Sequence, residues 1–193
     1  MNGSKGARRR LFVAVPLPAE LVPFVVDAQA LLPTDRGVRL MRADQLHFTL
    51  AFIGEADEDA TEAVRSVVEA VPPGKGGEAF IDGLLLLPTP RKVRVVALGV
   101  ADEFGVFARL FGLVRGGLEA AGLMEREKRP FRAHATVARI RCPGPVQPTS
   151  DCGRARFAVE SVCLYESELK GEGAKYSVLA RTPLTRANEE DTA

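Results

Sequence analysis

The sequence predicts an α+β fold in which antiparallel pairing dominates. Two observations carry this: most strand-like segments follow one another without an intervening helix, and only three segments show helical spacing. At 193 residues the chain can bury a full core, as one domain or as two small, tightly joined lobes. No Ser/Gly linker divides it and no solenoid repeat appears. One weak internal symmetry remains. Each half holds a helix, several strands and one strand with the pattern His-x-Thr, so a two-lobed arrangement would account for the two copies.

The elements follow in order. "RLFVAVPL" alternates, is rich in apolar residues, and reads as a strand closed by Pro16 and Pro18. "AELVPFVVDAQALL" has helical spacing, with Pro23 tolerable near the first turn. "VRLMRADQLHFTLAFIG" gives a short strand, a turn at Ala43-Asp44, and a strand ended by Gly54. "DEDATEAVRSVVEAV" is an amphipathic helix in which Asp59 and Glu62 offer a capping box. "EAFIDGLLLLP" and "KVRVVALGV" are strands joined by "TPR", and "DEFGVFARLFGLVRGGLEAAGL" is a long helix weakened by its glycines. The loop "MEREKRP" leads to the strand "FRAHATVARIR", and "CPGPVQPTSDCG" is a loop. "RARFAVESVCLYES" and "AKYSVLARTPL" read as strands around the turn "KGEG". Residues 9–185 form the expected domain, between polar, frayed tails at 1–8 and 186–193.

Composition excludes several classes. Hydrophobic residues at 46% and charged residues at 26% suit a soluble globular chain. A net charge of +1 excludes a general polyanion-coating role, so any phosphate site must come from local clustering. Cys142, Cys152 and Cys163 are odd in number and widely spaced. They predict free thiols in a reducing cytoplasm rather than a zinc site or a disulfide framework. No apolar run is long enough for a membrane helix. A monomer with no obligate protein partner is expected.

The chain has two histidines. They stand in "LHFTLAFIGE" and "AHATVARIRC", each followed two positions later by threonine: His47 with Thr49, His134 with Thr136. Threonine fills nine of the 193 positions, so chance seldom places it twice at one offset from the only histidines. On a strand, residues i and i+2 share a face. Each strand therefore shows an imidazole and a hydroxyl together, while Phe48, Leu50, Ala135 and Val137 point to the core. Two imidazoles across a cleft suit in-line attack on phosphorus: a neutral ring takes a proton and a charged ring gives one. The hydroxyls can hold non-bridging phosphate oxygens. No metal or other cofactor is required. Charge agrees locally: Arg126, Lys128, Arg129, Arg132, Arg139 and Arg141 surround the second histidine, and Arg36, Arg39 and Arg42 precede the first.

Two H-x-T motifs about ninety residues apart, with "RLFVAVPLP", "PRKVRVVALGV" and "VCLYESELKGEGAKYSVL" in order, resemble the 2H phosphoesterase superfamily. Within it the chain is similar to the bacterial and archaeal RNA 2′,3′-cyclic phosphodiesterases, also named 2′-5′ RNA ligases. The resemblance implies two similar α+β lobes related by a pseudo-two-fold, with sheets facing a central cleft and helices outside. It implies metal-independent hydrolysis of RNA 2′,3′-cyclic phosphate ends to 2′-phosphates, with 2′-5′ ligation as the reverse. It makes His47 and His134 the catalytic pair, here assigned as acid and base respectively, and Thr49, Thr136 and Arg139 the phosphate binders. Arg139 lies five residues after His134, so strict alternation turns it away unless the strand bulges or ends. Phe12, Phe131 and Tyr165 are candidates for stacking a base. Two further readings stay open: a non-catalytic RNA-end binder, and a related enzyme acting on another nucleotide or a 2′-5′ linkage.

Overall fold

The computed structural model describes residues 8–34, 37–125, 130–171 and 173–185. Residues 1–7 of the expected tail at 1–8, the whole expected tail at 186–193, and Arg36, Arg126, Lys128 and Arg129 lie outside the described residues. Among the described residues, nine strands and three α-helices follow the chain: β1 (Arg9–Pro16), α1 (Val22–Ala30), β2 (Val38–Leu40), β3 (His47–Ala56), α2 (Glu58–Glu69), β4 (Gly77–Leu87), β5 (Val93–Ala101), α3 (Val106–Ala120), β6 (His134–Gly144), β7 (Arg154–Val159), β8 (Ser161–Lys170) and β9 (Gly173–Pro183). Pro23 falls in the first turn of α1, where its missing N–H is not needed. The N-cap of α2 is Asp57, whose carboxylate accepts the Ala60 N–H at 2.9 Å, rather than the Asp59–Glu62 box. Asp102 caps α3 by accepting from the Phe107 and Ala108 N–H groups.

Every pairing is antiparallel, and the strand order is β7-β4-β5-β6-β3-β1-β8-β9, with β2 on β6. The α+β class and the mainly antiparallel sheets are as the sequence predicts. The two motif strands, β3 and β6, lie side by side at the centre and meet through the pair Phe48↔Ala135. Each begins a row of four strands running outward, so two half-sheets meet at this seam in pseudo-two-fold order. The halves are not halves of the sequence. "RARFAVESVCLYES" divides at Glu160 into β7, which pairs with β4, and β8, which crosses to β1. The C-terminal hairpin thereby completes the half-sheet that carries the first motif.

The face behind the motifs is packed. Phe48 is fully buried, stacked on Phe157 of β7 at 5.1 Å between centroids and edge-on to Phe107 of α3 at 5.2 Å. Ala135 and Val137 of β6 are fully buried too. This apolar side fixes which way each strand faces, and so turns His47, Thr49, His134 and Thr136 toward the open side.

Candidate active site

Each motif strand carries an irregularity at the same offset. Opposite β3, Val13 pairs with Ala51 and Ala14 with Thr49, so Leu50 is an extra residue. Opposite β6, Val96 pairs with Ala138 and Ala97 with Thr136, so Val137 is extra. Both are β-bulges, and the two consecutive residues at each, Leu50-Ala51 and Val137-Ala138, are buried. The alternation therefore changes parity just after each threonine. Arg139 comes round to the face of His134 and Thr136, and the difficulty posed by strict alternation disappears. By the same step Phe52, five residues after His47, joins the face of the first motif and stands 49% exposed. Phe52 and Arg139 are counterparts under the pseudo-two-fold, and the matching five-residue offset was the sequence signal for Phe52.

The bulge in β6 is held from α1. The Gln29 side-chain amide donates to the carbonyl of Val137 at 2.9 Å and to that of Met41 at 2.8 Å. The Val137 carbonyl also accepts the Met41 N–H at 2.9 Å, so the bulge is held from two sides.

Two cavities open over the seam and share Thr49 and Phe52. The first, about 360 Å³, is lined by His47, Thr136, Arg139, Arg10, Arg39 and Tyr176 among others. The second, about 650 Å³, is lined by His134 and Arg132 and by an apolar wall of Leu85, Leu87, Phe111 and Phe131. Thr49 thus sits where a basic chamber meets a largely apolar one, with one histidine on each side. Arg10 lies over the Phe52 ring at 5.0 Å. Of the remaining cations in the sequence clusters, Arg42 pairs with Asp44 at 2.8 Å and Arg141 is exposed.

The two imidazoles are anchored alike. His47 Nδ1 is 2.8 Å from the carbonyl of Gln45, and His134 Nδ1 is 2.8 Å from the carbonyl of Arg132. A carbonyl only accepts, so each Nδ1 carries the hydrogen and each Nε2 is left for chemistry.

Their surroundings differ. Phe12 tilts onto His47 at 4.7 Å, Tyr176 meets it edge-on at 5.4 Å, and Tyr165 lies 6.3 Å away, stacked on Phe12 at 5.0 Å. Burial among these rings pushes His47 down to about 4; the Gln45 carbonyl opposes this, and the charges of Arg139 and His134 reinforce it. Burial also raises the Tyr165 phenol, which stays neutral. No aromatic ring packs on His134 among the described residues.

Of the three candidate stacking residues, Phe131 lines the apolar chamber and stacks on Phe111 at 4.2 Å. Phe12 is 4% exposed and supports His47, and Tyr165 supports Phe12 from behind. Phe52 and Tyr176, which the sequence reading did not single out, are the aromatic rings that line the basic chamber beside Phe12.

Comparison with known proteins agrees with this geometry. The family described as LigT like Phosphoesterase matches residues 15–97, which hold the first motif. The RNA 2′,3′-cyclic phosphodiesterase of Thermus thermophilus is 33% identical over 184 residues, covering 91% of this chain and 90% of that protein. The chain belongs to the LigT-like phosphoesterase family. The RNA 2′,3′-cyclic phosphodiesterase of Escherichia coli is 29% identical over 180 residues, 92% of this chain and 98% of its own. Among solved structures, a Thermus thermophilus protein superposes with a TM-score of 0.78 at 29% identity, covering 92% of this chain and 98% of its own. Escherichia coli LigT complexed with 3′-AMP gives 0.73 at 27% identity, over 93% and 100%. Among the described residues no helix is long and apolar enough to cross a membrane.

Proposed function

We propose that this chain hydrolyses 2′,3′-cyclic phosphate ends of RNA to 2′-phosphates, with His47 and His134 as its acid–base pair and no metal. The observation that carries the proposal is the pair of motif strands at one seam. Each offers an Nδ1-anchored imidazole and a threonine to a common cleft. Similarity to relatives named RNA 2′,3′-cyclic phosphodiesterases supports the substrate class.

The reaction follows from the layout. The cyclic phosphate sits at Thr49 and Thr136, with Arg139 neutralising its non-bridging oxygens. The environments favour the reverse of the acid–base order expected from sequence. His47, desolvated by its aromatic neighbours, is neutral in the free enzyme at pH 7 and takes the proton of the attacking water. His134, more open, gives a proton to the departing ribose 3′-oxygen. The O–P bond to that oxygen breaks as the bond to water oxygen forms, and the phosphate remains on the 2′-oxygen. In this arrangement the terminal ribose lies toward His134 and the apolar chamber. The basic chamber on the His47 side admits water or, for 2′-5′ ligation, a 5′-hydroxyl strand that attacks in place of water while the same 3′-oxygen leaves. Three free cysteines fit a reducing cytoplasm.

The test is incubation with 2′,3′-cyclic AMP, with and without EDTA, followed by separation of 2′-AMP from 3′-AMP. The expected result is 2′-AMP alone, at a rate EDTA leaves unchanged. Binding without turnover would instead make the chain an RNA-end binder.

A further inference from the structure

Gln45 is a polar residue with 3% of its surface exposed, in the turn Ala43–Gln45 that leads into β3. Both ends of its side chain are engaged. Oε1 accepts the Arg42 N–H at 3.3 Å. Nε2 donates at 2.7 Å to the carbonyl of Ala174, at the start of β9 and 129 positions away in the chain. Its main-chain carbonyl holds His47 Nδ1. One residue therefore ties the reactive ring to the β8–β9 hairpin.

That hairpin forms a wall of the basic chamber through Ser167, Gly173 and Ala174, and it brings Tyr176 against His47. Gly173, at φ +125°, lies so near the Arg39 guanidinium that a Cβ there would meet it. Comparing the two motifs separates two roles for Gln45. The residue two before His134 is Arg132, whose carbonyl anchors that histidine in the same way while its side chain is exposed. Anchoring the ring thus needs only the main chain. The buried amide bridge belongs to the first motif alone, where a hairpin must be seated.

We propose that Gln45 is a positioning residue: its side-chain amide seats the β8–β9 hairpin over the first motif and so keeps water from the His47 ring. The groups facing His47 are Phe12 from β1, Tyr165 from β8, Tyr176 from β9, and Arg139 and His134 from β6; Arg10 and Arg39 line the same chamber. Losing the bridge loosens Tyr176 and wets the ring but adds no negative charge, so the ring's affinity for a proton rises. The consequence for turnover rests on His47 acting as the base; the effect on the ring itself does not.

The experiment exploits the two-histidine sequence. Proton NMR of the full chain resolves two imidazole titrations, assigned with His134→Gln. Gln45→Met keeps the volume and cannot bridge. Its His47 midpoint should move up by about one pH unit, with that of His134 unchanged. Tyr176→Leu should move it the same way, and the double variant no further than the larger single shift, because both act through the hairpin. If Gln45→Met does not fold, Gln45→Asn, one methylene too short to reach Ala174, carries the same expectation. An unmoved His47 midpoint in a folded variant, or shifts that add, overturns the proposal. Failure of the His47-as-base reading would appear elsewhere, on a phosphodiester with a nitrophenolate leaving group that needs no general acid: His134→Ala rather than His47→Ala would then lose turnover.

Discussion

The sharpest prediction concerns acidification from pH 7 to pH 5. With His47 held near 4, about nine-tenths of the rings remain neutral at pH 5, whereas an ordinary histidine at 6.5 would keep about three hundredths. As the general base of the free enzyme, His47 should therefore cost kcat/KM only about a tenth of its value over this range. An unshifted base would cost more than about twenty-fold. Both acid–base orders need one ring protonated and the other neutral and so give profiles of the same shape; the profile tests the depressed His47 midpoint. The assay is initial-rate hydrolysis of 2′,3′-cyclic AMP at subsaturating substrate between pH 4 and 8. A nearly flat acid side down to pH 5 agrees with the reasoning. A fall in kcat/KM on acidification from pH 7 to pH 6 refutes it.

Other outcomes follow from the same geometry. Arg139→Met should lower kcat/KM by about 10²-fold, and Thr49→Val or Thr136→Val each by about ten- to a hundred-fold, measured on the same substrate with folding checked by circular dichroism. Phe48→Ala, which empties a site packed between Phe157 and Phe107, should cost about 3–5 kcal/mol in urea denaturation. Because folding lowers the affinity of His47 for a proton, the unfolded chain binds more protons between its ordinary 6.5 and about 4. Stability from this group is fully present above 6.5 and is lost as pH falls toward 4. His47→Gln should flatten that part of the pH–stability curve, and an unchanged slope would contradict the burial of the ring.

Much of the framework was legible because it rests on local pattern. The alternation in "LHFTL" and "AHATV" set which side chains face the core, and Phe48, Leu50, Ala135 and Val137 are buried as that alternation requires. The bulges were not legible. "TLAF" and "TVAR" are compatible with regular strands, and only the pairing with β1 and β5 reveals the extra residue that turns Phe52 and Arg139 to the cleft. The division of "RARFAVESVCLYES" was hidden because no glycine or proline marks it; the two pieces differ only in their partners. The unequal environments of the histidines were beyond reach for the same reason. Phe12, Tyr165 and Tyr176 come to His47 from three strands, and nothing within "QLHFTL" announces them.

The most direct test of the two-histidine chemistry is turnover of 2′,3′-cyclic AMP by His47→Ala and by His134→Ala, each shown to fold. The prediction is that either substitution lowers kcat by at least about a hundred-fold while the cyclic nucleotide still binds. Near wild-type kcat in either variant would contradict it.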